Sequence, residues 1–272
     1  MTIAAGFVYD NGVMLCADTE ITGWGMKLQS GKIKSFRVDG GTISMAYAGN
    51  ASFAISTIQK CQRKLLNIKA ADTLQELERI LDKEYRRNVL SHPGHASDPN
   101  LAYQLLIAFH PEGADQTDLY MTDQTSIHQV SGHTCIGIGE ALAHYLILPN
   151  YTPGMAEKSV MSIATIALAA VKSYVPNCGG ASYYVSVTND GSIKQAATFV
   201  TIGAEATTRM EWLERDGAEF VQSGRRLLLA LVDPIISDDA FDIILEGFSM
   251  RAKAKRDELN SSIASGTFIN EF

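Results

Sequence analysis

The sequence predicts a layered α+β protein in which runs of strands alternate with pairs of helices. Three turn signals mark hairpins, namely Asp10-Asn11-Gly12, Asp39-Gly40-Gly41 and Asn189-Asp190-Gly191. Between the second and third signals, four stretches are predicted to be helices. The predicted order along the chain is strands, two helices, strands, two helices and strands, followed by a helical extension.

The first two hairpins follow from their turn signals. Residues 2–9 and 12–17 are predicted to pair around Asp10-Asn11-Gly12. Residues 32–38 and 42–48 are predicted to pair around the second signal in the same way. The chain is therefore expected to begin with four strands.

Two helices are predicted next. The first spans Ala51–Asn67, where apolar residues recur at helical spacing. The second begins near Thr73, because Thr73-Leu74-Gln75-Glu76 fits a capping box, and it runs to about Val89. The segment Ser91–Asn100 is rich in Pro, Gly, His and Asp and is predicted to be a loop.

The same alternation continues to residue 200, and a helical extension follows. The predicted strands are Tyr103–Phe109, Asp118–Thr122, Ser126–Val130, Tyr183–Thr188 and Ser192–Thr198. The predicted helices are Glu140–Leu148, Ala156–Tyr174, about Ala206–Leu229 and about Asp238–Leu259, with a break at Asp233-Pro234. We therefore divide the chain into a main domain, 1–200, and an extension, 201–272, which packs on the same domain or on a neighbouring subunit.

Composition excludes several classes of protein. A net charge of −7, with no stripe of Lys and Arg, argues against nucleic acid as a partner. The longest apolar stretch, around Ile163–Val171, is too short to span a bilayer, and no signal peptide opens the chain. Cys16, Cys61, Cys135 and Cys178 stand singly, which suits thiols in a reducing compartment. These observations predict a cytoplasmic protein.

Thr2 is the candidate nucleophile. Removal of Met1 would leave Thr2 with a free α-amine beside its own hydroxyl. An α-amine has a pKa of about 7.7–8.0, so it can act as a general base near neutral pH. On its position alone, Thr2 is better explained as an ordinary residue that starts a β-strand, and only the residues around it favour a nucleophile.

The residues around Thr2 carry a resemblance to a known family. The stretches Thr2-Ile3-Ala4-Ala5-Gly6, Asp10-Asn11-Gly12-Val13, Ala17-Asp18-Thr19 and Ala48-Gly49-Asn50 resemble the start of proteasome β subunits and of related N-terminal nucleophile threonine hydrolases. The resemblance implies a four-layer αββα sandwich over roughly residues 2–200. It also implies an N-terminal threonine amide-bond hydrolase of the peptidase type, which needs no metal and no cofactor.

The family places an Asp and a Lys behind its threonine. An interval of 16 positions separates Thr2 from Asp18, and the same interval separates Asp18 from Lys34. A register without gaps therefore assigns the family's pair to Asp18 and Lys34. A buried cation near Thr2 lowers the pKa of the amine and the hydroxyl, and Asp18 keeps that cation charged. Lys32 is the rival, because in a strand it faces the same side as Lys34.

The resemblance also assigns residues that would bind substrate. Thr22 lies where the family pairs its backbone with an extended substrate. Gly49 matches the glycine whose N–H stabilises the oxyanion. Tyr47 lies where the family lines its specificity pocket, although a core aromatic explains it equally well.

Two stretches depart from the family pattern. Gly137-Ile138-Gly139 stands where the family has a Gly-Ser-Gly whose serine supports the N-terminal amine. Near the end of the fourth helix the family has an Asp and then a Ser, and here Asn177 and Cys178 are the nearest replacements. Two alternative functions follow, a non-catalytic structural subunit of a ring and an amidase for small molecules.

The resemblance implies partners as well. Family members enclose their nucleophiles in closed rings, so we expect a homo-oligomer of this chain that acts on peptide or protein substrates. An ATPase unfoldase is a further candidate partner.

Overall fold

The computed structural model describes residues 2–23, 26–197, 207–208, 238–264 and 268–269. The chain divides into two compact units, Met1–Ala197 and Thr198–Phe272. The first unit holds every predicted site residue.

The first unit alternates strands and helices in the order that the sequence predicts. Its strands in chain order are β1 (Ile3–Tyr9), β2 (Gly12–Asp18), β3 (Glu20–Gly23), β4 (Met26–Gln29), β5 (Ile33–Val38), β6 (Gly41–Gly49), β7 (Tyr103–Pro111), β8 (Asp118–Asp123), β9 (Ser126–Val130), β10 (His133–Gly137), β11 (Ser182–Thr188) and β12 (Ile193–Ala197). Its α-helices are α1 (Ala51–Lys64), α2 (Ala70–Tyr85), α3 (Glu140–Ile147) and α4 (Glu157–Tyr174). A π-helical turn, Arg86–Leu90, continues α2, and a 3-10 turn, Pro99–Leu101, precedes β7.

Two antiparallel sheets form the centre of this unit. One has the strand order β10-β1-β2-β11-β12, and the other has the order β5-β6-β7-β8-β9. Their inner faces share one apolar core, to which the first sheet contributes Leu15 and Val185 and the second contributes Ala46 and Leu106. Small and branched side chains at alternate positions bring the two sheets together.

Helices cover the outer faces of both sheets. The apolar sides of α1 and α2 pack on the second sheet through residues such as Ile58, Leu77 and Leu105. On the other side, α3 and α4 pack against β1, β2 and β10. The result is the predicted four-layer αββα sandwich, confirmed by this order of layers.

The observed elements differ from the predicted ones in two ways. The helix α2 begins at Ala70 rather than near Thr73, and the Thr73 hydroxyl donates to the Lys69 carbonyl oxygen at 2.9 Å instead of capping the helix. The strands β3, β4 and β10 were not predicted. In β4 all four side chains are exposed, so it has no alternation of buried and exposed positions from which to predict a strand.

The second unit contains α5 (Asp238–Ala264), which confirms the helix predicted from Asp238. Thr207–Thr208 (β13) pairs in parallel with Phe268–Ile269 (β14), so these two residues at the start of the predicted helix 206–229 are in a strand. The rest of that predicted helix and the predicted break at Asp233-Pro234 lie outside the described residues. None of the described helices combines the length and the apolar character needed to cross a membrane.

Candidate active site

Thr2 lies immediately before β1, and its side chain is buried. The next residue, Ile3, pairs with Gly137 of β10. Gly137 has φ +98°, and a Cβ added there would lie 2.2 Å from the Thr2 carbonyl oxygen. Only glycine combines that conformation with so close an approach, so the end of β10 fixes the backbone of Thr2.

Lys32 lies directly behind the Thr2 side chain. Its ammonium donates to the Asp18 carboxylate (Nζ to Oδ1, 2.7 Å) and also contacts Thr2 Oγ1. The side chains of Lys32 and Asp18 are 1% and 0% exposed, so this is a fully buried ion pair. The threonine hydroxyl therefore shares one ammonium with a carboxylate.

Two backbone amides hold Asp18 in place. The Ile3 N–H donates to Oδ1 at 3.1 Å, and the Gly179 N–H donates to Oδ2 at 3.1 Å. A buried carboxylate that accepts from an ammonium and two amides has most of its acceptor capacity satisfied. Asp18 thus joins β1, the segment before β11 and Lys32 in a single polar cluster.

Burial and the ion pair shift the pKa of Lys32 in opposite directions. Removal from water lowers the pKa of the Lys32 ammonium, and the Asp18 carboxylate partly offsets this by favouring the charged form. An ammonium in contact with a hydroxyl favours negative charge on the hydroxyl oxygen, here Thr2 Oγ1.

The structure corrects the predicted role of Lys34. Lys34 lies in β5 opposite Met45, and its side chain is exposed, so Lys32 and not Lys34 pairs with Asp18. The gapless register failed because 14 positions, not 16, separate Asp18 from the lysine that pairs with it. Lys32 precedes β5, so the alternation of a strand does not place it on the same side as Lys34.

Gly49 ends β6 close to Thr2. A Cβ added at Gly137 would lie 3.1 Å from the Ala48 Cβ as well as against the Thr2 carbonyl oxygen, so the end of β6 lies close to Thr2. Gly49 is exposed and has φ +89°, and a Cβ added there would lie 2.4 Å from the Ala102 carbonyl oxygen. The position therefore requires glycine whether or not its N–H serves as an oxyanion donor.

Tyr47 is 1% exposed and belongs to the core between the second sheet and α1 and α2. Its N–H donates to the Lys32 carbonyl oxygen at 3.3 Å, which ties β6 to the residue behind Thr2. Burial raises the pKa of its phenol, and the Asp18 carboxylate raises it further. Among the described residues its hydroxyl has no hydrogen-bond partner. Tyr47 is thus a core aromatic near the cluster, and its place in a specificity pocket stays a prediction.

The remaining predicted residues occupy two segments. Thr22 lies in β3, opposite Lys27 of β4. Cys178 is buried beside the cluster: burial and the Asp18 carboxylate raise the pKa of its thiol to about 12, while Lys32 lowers it. Asn177 adopts φ +66° in the turn just before Cys178.

Gly179 is a site residue that the sequence analysis missed. Its N–H holds Asp18, and its carbonyl oxygen accepts from the Glu20 N–H at 3.0 Å. The only signal was the pair Gly179-Gly180 just before a predicted strand, which marks a close approach of backbones. Within the described part of the chain, no group of three or more His, Cys, Asp or Glu side chains is placed to hold a metal ion.

The sandwich, with Thr2 just before its first strand and a buried ion pair behind it, is a proteasome-like fold. The sequence model of the family described as Proteasome subunit matches residues 2–185. The chain belongs to this family.

Solved structures with the same fold include Anbu proteins. A Gly-1 mutant of Anbu from Hyphomicrobium sp. strain MC1 is 11% identical with a TM-score of 0.68, and the match covers 86% of this chain and 99% of that one. Anbu from Yersinia bercovieri, described as an ancestral β-subunit, is 14% identical with a TM-score of 0.68, over 83% and 97% of the two chains. A structure titled as the helical assembly of the Anbu complex from Pseudomonas aeruginosa is 11% identical, with a TM-score of 0.68, over 83% and 96%. At these identities the likeness shows the fold alone, and no curated protein matches the sequence.

Proposed function

We propose that this chain, once Met1 is removed, is an N-terminal threonine amide-bond hydrolase that cleaves peptides in the manner of proteasome subunits. The observation that carries the proposal is the Lys32 ammonium, which contacts Thr2 Oγ1 and forms a buried ion pair with Asp18. Membership of the proteasome subunit family supports the same class of reaction.

The proposed reaction uses Thr2 twice. Its α-amine takes the hydroxyl proton as Oγ1 attacks the carbonyl carbon of the substrate, and the Gly49 N–H donates to the oxyanion that forms. The amine then gives the proton to the leaving nitrogen, which breaks the amide bond and leaves an ester on Thr2. A water molecule, deprotonated by the same amine, hydrolyses the ester and regenerates Oγ1.

Lys32 and Asp18 set the electrostatics of this reaction. The Lys32 ammonium disfavours a second positive charge on the nearby α-amine, which keeps that amine available as a base. It also favours the partial negative charge on Oγ1 during attack. Asp18 fixes the ammonium in position and compensates for its burial.

Substrate binding is proposed at β3 and at the C-terminal end of β6, where β6 extends beyond its pairing with β5. An extended peptide would add alongside Thr22 and Gly49, with its scissile carbonyl opposite Thr2. Tyr47 would limit the depth of the pocket for the side chain next to the cleaved bond.

A second function, that of a structural subunit with little or no activity, is favoured by one specific observation. Ile138 stands in place of the family serine, and its apolar side chain is 49% exposed, so it supplies no hydroxyl to the N-terminal amine. Cys178 is a weaker donor than the serine it replaces. An amidase that acts on small molecules would use the same chemistry, and the substrate panel described next separates it from a peptidase.

We expect the purified protein to lack Met1 and to hydrolyse peptide amides. Intact-mass measurement reads the first outcome, and a panel of fluorogenic peptides together with small aliphatic amides reads the second. Retention of Met1 in every molecule, with no turnover of either substrate class, would favour the structural subunit. Turnover of small amides alone would favour the amidase.

Self-association is part of the proposal. One Anbu structure is described as a helical assembly, and this chain exposes the apolar side chains of Tyr145 in α3, of Leu148 just after α3, and of Ile243 and Met250 in α5. Subunits joined head to tail close into rings when the rotation between them permits it. We propose a homo-oligomer that encloses peptide or protein substrates in the cytoplasm, with an ATPase unfoldase as a candidate partner.

Light scattering is expected to give a particle of about six or more subunits at micromolar concentration. Substitution of Tyr145 and Leu148 by serine should shift the particle toward smaller species if α3 lies in the interface. A stable monomer of the unsubstituted chain across that range would end the ring hypothesis.

A further inference from the structure

A second lysine lies close to the candidate active site. Lys172 belongs to the last turn of α4, and its side chain reaches the segment that leads into β11. Its Nζ donates to Ser182 Oγ at 2.9 Å and to the Gly180 carbonyl oxygen at 3.1 Å. The resemblance of the sequence to the proteasome family assigned no role to this residue.

These two contacts involve two segments of the chain that lie against Asp18. Ser182 is fully buried and pairs with Asp18 across β11 and β2. Gly180 follows directly after Gly179, whose N–H donates to Asp18 Oδ2. The Lys172 ammonium therefore binds both the strand that pairs with Asp18 and the short turn whose Gly179 N–H donates to Asp18.

The charge of Lys172 acts on the same carboxylate. Burial lowers the pKa of its ammonium to about 8, and the Asp18 carboxylate partly offsets this shift. Lys32 approaches Asp18 through Oδ1, whereas Gly179, which Lys172 supports through its neighbour, approaches through Oδ2. Asp18 Oδ1 thus accepts directly from Lys32. Asp18 Oδ2 accepts from the Gly179 N–H, and Lys172 holds the neighbouring Gly180.

We propose that Lys172 is a positioning residue for the threonine centre: it holds the Gly179–Gly180 turn on Asp18, and through Asp18 it sets the position of the Lys32 ammonium behind Thr2. The effect of Lys172 on turnover rests on the proposed function, but its effect on the turn does not.

The test compares three variants of the full-length chain. Lys172→Met keeps an apolar stem and removes both the donor and the charge, and Lys172→Arg restores a charged donor. Lys194→Met is the matched control, because Lys194 also joins a strand to α4, through Glu157 at 2.9 Å, but pairs with Ser186 in β11, four positions beyond Ser182. Amide hydrogen exchange at Gly179 and the steady-state constants for peptide hydrolysis are measured for each variant.

In Lys172→Met we expect exchange at Gly179 to accelerate about tenfold or more. We expect kcat to fall on the order of tenfold, with KM within about twofold, because a displaced ammonium affects the reacting atoms more than the bound peptide. Lys172→Arg should recover most of both effects, and Lys194→Met should show neither. If Lys172→Met does not fold, Ser182→Ala, which removes one of the two acceptors, should show the same changes in smaller measure.

Unchanged exchange at Gly179 in Lys172→Met would overturn the inference, and so would a kcat equal to that of the unsubstituted chain in a protein whose turnover depends on Thr2. Absence of any turnover that depends on Thr2 would instead overturn the proposed function. In that case the exchange measurement alone decides whether Lys172 holds the turn.

Discussion

Replacement of Thr2 by alanine is expected to abolish the hydrolysis of peptide amides. The variant keeps the α-amine, Lys32 and Asp18 but has no Oγ1 to attack the carbonyl, so no covalent intermediate forms. Loss of the nucleophile from a site of this kind lowers kcat on the order of 10⁴-fold or more. Thr2→Ser should retain part of the activity, because it preserves both the amine and the hydroxyl.

The fold should survive this substitution. Asp18 and the backbone amides of Ile3 and Gly179 keep their contacts without the threonine side chain, and Lys32 keeps its ion pair. We expect a melting temperature within a few degrees of that of the unsubstituted chain. Equal turnover by Thr2→Ala, in a preparation shown to be free of other proteases, would end the catalytic hypothesis.

The second large effect separates the two lysines. Lys32→Met removes the ammonium that contacts Thr2 Oγ1 and should lower kcat about 10²-fold or more, as expected for the loss of a preorganised electrostatic group. Lys34→Met is the matched control, since Lys34 is an exposed lysine two positions along the chain. We expect its activity to stay within about twofold of the unsubstituted chain.

Both variants must be folded for this comparison to be informative. Lys32→Met leaves Asp18 with two amide donors, so the carboxylate remains partly satisfied. Removal of one partner of a buried ion pair nevertheless costs about 3–5 kcal/mol, so thermal unfolding should be recorded beside the kinetics. A larger loss of kcat for Lys34→Met than for Lys32→Met would show that the ion pair seen here is not the one that supports Thr2.

The fold was the most predictable part of the molecule. Turn signals such as Asp10-Asn11-Gly12 fix hairpins locally, and the apolar periodicity of α4 fixes a helix, so both follow from short stretches of sequence. The small hairpin β3–β4 gave no comparable signal, because every side chain of β4 is exposed.

The candidate site was predictable only in part, because its geometry depends on distant segments. Thr2 lies just before β1 and Asp18 ends β2, which pairs with β1, and the family pattern located both. Which lysine pairs with Asp18 depends on how the chain between β2 and β5 folds. The observed partner is Lys32, two positions before the predicted Lys34. Gly179 contributes an amide from 161 positions away, and no local pattern predicts a contact of that kind.

The central claim is that the α-amine of Thr2 is the base, and the most direct test controls whether that amine is free. The chain is produced with a removable leader fused ahead of Thr2, and peptide hydrolysis is followed while a specific protease removes the leader. Intact mass measures the exposed fraction of Thr2 at each time. We predict no hydrolysis before removal and turnover that rises in proportion to exposed Thr2, with Thr2→Ala silent throughout. Equal hydrolysis before and after removal of the leader would contradict the account.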